Sequence, residues 1–109
     1  MTDRSEKYLY DIQNAIELIE KFIPAEDRFE DYQKDLKTQS AVERQLAIIG
    51  ESVKKFHHIT EEKLSNAQKL VGFHKRLVNS YDSIDPSIVW AIVYRHLPSL
   101  KKEIEGMLN

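Results

Sequence analysis

The chain has 109 residues, 41% of them hydrophobic, with 16 basic and 18 acidic side chains and a formal net charge of −2. That length predicts one domain over residues 1–109 with a single core. The charge balance excludes a global field that would draw polyanions onto the surface, so any nucleic-acid contact must come from a local basic patch. With no cysteine in the chain, disulfides, thiolate nucleophiles and zinc–thiolate sites are excluded together.

No stretch approaches the roughly 20 apolar residues of a membrane span, and the N-terminus has no apolar h-region of a signal peptide. A cytoplasmic protein without a membrane association is expected. Three Gly and three Pro, amid abundant Ala, Leu, Glu, Lys and Gln, favour helices over hairpins. The predicted fold is all-α, an up-and-down bundle of four long helices and one short helix.

The first helix is expected from Asp3, with Glu6 as a capping pair. Its apolar stripe is Tyr8, Ile12, Ala15, Ile16, Ile19 and Ile23, and it ends at Pro24. A short polar helix over 27–36 has only Phe29, Tyr32 and Leu36 as anchors. Ser40 and Glu43 form a capping box for the next long helix, in which Val42, Leu46, Ile49, Val53 and Phe56 alternate by four and three to make a narrow seam. His57 and His58, adjacent and therefore about 100° apart on a helix, cannot share one metal. They are expected to close that helix as cations facing its dipole. No His or carboxylate pair has a ligand spacing, and no metal or other cofactor is expected.

Thr60, Glu61 and Glu62 open a further helical segment, restarting or continuing near Leu64 and Ser65, that runs to about Asn79. One face carries Ala67, Val71, His74, Val78 and Tyr81; a second carries Gly72, Lys75 and Asn79, with Arg76 beside it. Ser80, Asp82 and Ser83 favour a turn. Asp85 then caps a last helix with Pro86 at its first position and Ile84 placed to staple on Val89. The buried side of that helix is Ile88, Val89, Ile92, Val93, His96, Leu100, Ile104 and Met107, and Pro98 should bend it.

The functional residues are expected in Val71-Gly72-Phe73-His74-Lys75-Arg76-Leu77-Val78-Asn79-Ser80-Tyr81, where a basic cluster, an imidazole, an amide and a phenol crowd a helix end. This stretch resembles the signature segment of the HepT-like members of the HEPN superfamily, small helical ribonuclease toxins paired with nucleotidyltransferase-type antitoxins. In that segment an Arg is followed, after four residues, by a His, with Asn next to the Arg and Tyr two places past the His. Here His74 stands at the Arg, Lys75 at the Asn and Asn79 at the His, while Arg76, Leu77 and Tyr81 match. The run Ala41-Val42-Glu43-Arg44-Gln45-Leu46-Ala47-Ile48-Ile49-Gly50-Glu51 and the phrase 85–101, with Val89-Trp90 and Leu97-Pro98, are similar to the same family.

The resemblance implies a metal-independent RNase fold, a homodimer, an RNA substrate, a nucleotidyltransferase partner and AMPylation of Tyr81. His74, Asn79 and Arg76 occupy the catalytic frame, and Lys75 and Arg76 are the phosphate-binding candidates. RNA cleavage needs a group that takes and gives a proton near neutral pH and a fixed cation for the growing charge. Asn79 does not titrate, so weak or absent cleavage is expected. A swapped arrangement, with His74 as base and Arg76 as cation, stays open. So do a catalytically dead subunit that binds RNA or a nucleotidyltransferase, and a structural helical adaptor. The plainer readings make His74 a core or interface histidine, Lys75 and Arg76 a solvated face, Asn79 a helix-terminal residue and Tyr81 a buried anchor.

Overall fold

The computed structural model describes residues 2–79 and 84–109, with the backbone alone for 77–79. Among the described residues there are six helices and no strand: α1 (Asp3–Phe22), α2 (Phe29–Lys34), α3 (Leu36–Ile59), α4 (Gln68–Asn79), α5 (Pro86–Arg95) and α6 (Leu97–Leu108). The all-α expectation holds, and the count differs because the last helix is two.

α1 is capped by Thr2 rather than Asp3. The Thr2 hydroxyl accepts from the Ser5 N–H at 3.1 Å, and Ser5 Oγ accepts from the Thr2 N–H at 3.0 Å. A hydroxyl at the third helical position closes the box that Glu6 was expected to close one residue later. The expected stripe is buried except for half-exposed Tyr8, and Leu9 joins it.

α3 begins five residues earlier than the Ser40 box would place it. Asp35 accepts from the Thr38 N–H at 3.1 Å and from its hydroxyl at 2.6 Å, so Ser40 is already inside the helix. The early start turns Leu36 outward, 74% exposed, and it is no anchor of α2. Gln39, buried one turn into α3, donates through Nε2 to the carbonyls of Tyr32 and Gln33 and closes the end of α2. Val42, Leu46, Ile49, Val53 and Phe56 are all fully buried, as their spacing predicted, each contributing on the order of 2 kcal/mol.

α1 packs along α3, and α3 carries α4 on another side; α6 lies against α1, and α2 bridges α3 and α5. Lys55, near the end of α3, lies 6.0 Å from the ring centre of Tyr8, near the start of α1, so these two helices are antiparallel. Residues 60–67 are not helical, contrary to the start expected at Thr60. There the Thr60 hydroxyl accepts from the Glu62 N–H at 3.2 Å and closes a local turn, while Leu64 and Ala67 are buried as anchors.

α5 starts as expected: Asp85 accepts from the Ser87 N–H at 2.9 Å, Pro86 occupies the first turn and Ile84 packs on the core. Pro98 does more than bend the chain. It sits at the second position of a new helix, where its missing N–H is not needed, and the backbone breaks at His96.

Candidate functional site

α4 presents two sides. Leu70 and Phe73, which the expected apolar face left out, are buried together with Ala67, whereas Val71 and His74 are only half-buried. Gly72, Lys75 and Arg76 are exposed, as expected for the second face. Asn79 is the last residue of α4, one turn beyond Lys75. Tyr81, with the turn at 80–83, lies outside the described residues.

His74 lies against α3. A Cβ built at Gly50 would stand 2.8 Å from His74 Cγ and 3.0 Å from the Leu70 carbonyl. Gly50 therefore exists where α4 crosses α3 too closely for any side chain. Nδ1 of His74 is buried and has no hydrogen-bond partner among the described residues, an arrangement that costs about 1–3 kcal/mol. Arg76, two residues on and so about 200° around the helix, faces the other way and lines a groove against α5 with Lys69, Gly72 and Ile88. The structure thus separates His74 from Arg76 rather than bringing them together.

The segment entering α4 is held by two groups that spacing did not reveal. His57 Nε2 accepts the Leu64 N–H at 3.0 Å. Burial first, and Lys63 second, hold the imidazole below its usual range, against a smaller opposing pull from Glu103. His57 is therefore a neutral acceptor, which corrects the expectation that it serves the helix dipole as a cation. Glu103, on α6, accepts from the N–H groups of Ser65 and Asn66 and from both their side chains at 2.9–3.2 Å. Burial pushes its carboxyl up, but these four bonds outweigh that and leave it below the usual carboxylate range. The only sequence signal for this clamp was a carboxylate on an otherwise apolar-periodic helix, and it names no partner.

Among the described residues no group of three or more His, Asp or Glu could hold a metal ion, and no helix is long and apolar enough to cross a membrane.

Six helices among the described residues, with Lys75 and Arg76 exposed near the end of α4, make this a small all-helical domain. A family model described as "Ribonuclease HepT-like" matches residues 12–107, and the chain belongs to that family. It is 39% identical over 107 residues to a protein named "Probable ribonuclease HepT" from Thermococcus cleftensis, covering 95% of this chain and 96% of the relative. Two further relatives carry the name "Putative RNase". One, from Caldanaerobacter subterraneus subsp. tengcongensis, is 32% identical over 83 residues, 74% of each chain. The other, from Methanocaldococcus jannaschii, is 33% identical over 105 residues, 94% of this chain and 85% of the relative. No solved structure matches.

Proposed function

We propose that this chain is the HepT-like subunit of a bacterial toxin–antitoxin pair, with an RNA-directed site at the C-terminal half of α4 that cleaves weakly or not at all. Family membership supports the RNA-directed part. The observation that carries the weak cleavage is the position of His74: its ring is docked on α3 at Gly50, Nδ1 is buried without a partner among the described residues, and Arg76 lies on the other side of the helix. A base must reach the ribose hydroxyl and a cation must face the same phosphate. A short imidazole at position 74 reaches neither, and the amide of Asn79 cannot carry a proton. Lys75 and Arg76, both exposed, are left as phosphate contacts.

The decisive experiment is repair of the frame by His74→Arg with Asn79→His. The guanidinium starts from the same Cβ but extends past α3, and an imidazole returns to position 79. The unaltered chain is expected to leave a labelled RNA nearly intact, and the doubly altered chain to cleave it at least about 100-fold faster, the usual contribution of one acid–base group. Efficient cleavage by the unaltered chain, lost on His74→Ala, would overturn this reading in favour of the swapped pair. No gain on repair favours a subunit that only binds.

A further inference from the structure

The groove beside Arg76 continues beyond the motif. The α4–α5 groove, about 680 Å³, shares Gln68, Lys69 and His96 with a smaller one of about 160 Å³ at the α5–α6 break. Together they form one track from Arg76 past Gly72 and Lys69 to Arg95. Among the described residues no carboxylate lines either part, in a chain whose acids outnumber its bases. Lys69, Arg76 and Arg95 are exposed and have no ion pair among the described residues. Glu103 lies behind the far end, its oxygens occupied by Ser65 and Asn66.

A second basic groove lies between the start of α1 and the end of α3. It is lined by Arg4, Tyr8, Lys54, Lys55 and His58, but Lys55 is paired with Glu51 at 3.2 Å, and Lys7 beside it with Asp11 at 2.7 Å. Arg4 and Lys54 keep their charge there, with no ion pair among the described residues, which makes them the control for charge alone.

Resting on the RNA-directed reading above, we propose that the track between α4 and the α5–α6 junction binds a single strand of RNA and leads it to the end of α4. Lys69 and Arg76 are seven residues apart on one helix, about 10 Å, which spans roughly three phosphates of a stacked strand. Between them Gly72 leaves the wall open, since a Cβ there would meet nothing within 4 Å. The floor at that point is Ile88, Ala91 and Ile92, an apolar surface on which a base or ribose can lie while Arg95 and Arg76 stack or pair at either end. A duplex has its bases turned inward and cannot use that floor.

The test is fluorescence anisotropy with a labelled single-stranded oligoribonucleotide of about ten nucleotides, across a salt series. Lys69→Glu with Arg95→Glu should weaken binding at least about tenfold and lower the log–log salt slope by roughly 1.4, two phosphate contacts' worth. Gly72→Leu, which fills the track without changing charge, should weaken it as well. Arg4→Glu with Lys54→Glu should stay within about twofold. Thermal melts of each variant confirm folding.

RNA bound equally by the Lys69/Arg95 variant rejects the track and leaves the RNA-directed reading standing. Equal losses in both charge-reversed pairs, or tighter binding of a duplex of the same sequence, also reject it. Absence of binding by the unaltered chain, with no cleavage by the repaired variant, rejects the track and that reading together. Conversion of a dimer to a monomer by Lys69→Glu with Arg95→Glu would instead make the track an interface between copies and overturn the proposal.

Discussion

Gly50 and Gly106 both lie inside helices, yet alanine should act in opposite directions at the two. At Gly50 the added carbon meets the His74 ring and the Leu70 carbonyl, neither of which is the loose end of a flexible chain. Gly50→Ala should force α4 away from α3 and destabilise the protein by about 2–3 kcal/mol, as overpacking does. At Gly106 the carbon meets nothing within 4 Å, and Gly106→Ala should stabilise by about 1 kcal/mol through the lost freedom of the unfolded chain. Denaturant unfolding of both variants checks this; the same sign at both sites would mean that the α3–α4 crossing does not depend on the missing side chain. The Gly50 contact also explains why His74, whatever its chemistry, is anchored at its root.

At the scale of elements, the non-helical segment 60–67 is the part most dependent on single hydrogen bonds. His57 accepts the Leu64 N–H only while neutral, and its folded affinity for protons is depressed by burial. The folded state therefore binds fewer protons than the unfolded state near the ordinary histidine value of about 6.5. The stabilisation is present above that value and is lost as pH falls through it toward the lower folded value. His57→Ala should cost about 1 kcal/mol at about pH 8 and show a flatter fall in stability down to about pH 5.5. An identical slope in variant and unaltered chain would assign the pH dependence elsewhere. Because this segment sets where α4 begins, the effect bears on the position of Lys69 and Arg76.

For the whole molecule, the assembly expected is a homodimer that a nucleotidyltransferase recognises and modifies at Tyr81. Tyr81 follows Lys75 and Arg76 closely in sequence, and cations beside a phenol favour an incoming triphosphate. Sedimentation of the chain alone should give a dimer at tens of micromolar, the range of a weak association. Incubation with the partner enzyme and ATP should then add one adenylate mass, which Tyr81→Phe abolishes. A monomer throughout, or an unchanged mass with a demonstrably active enzyme, would defeat the respective half of this expectation.

What the sequence determined is the all-helical class, the order of most elements and most of their buried stripes. Val42 through Phe56 and Ile12 through Ile19 were legible because a period of three and four can bury a face in only one way. The Asp85–Pro86 start was legible for the same local reason: cap chemistry acts within one turn. The tertiary structure decided what depends on groups far apart in the chain. Glu103 holding Ser65 and Asn66, His57 reaching Leu64, and Gly50 admitting His74 are contacts that no local spacing announces. The same holds for the candidate site. The frame of residues 71–81 was visible as a motif, but that His74 and Arg76 face opposite neighbours, and that Arg76 shares a groove with the helix break beside Arg95, follows only from how α4 packs on α3 and leaves a groove toward α5. Helical periodicity orders residues around one axis, and only packing against other helices says what each side of that axis meets.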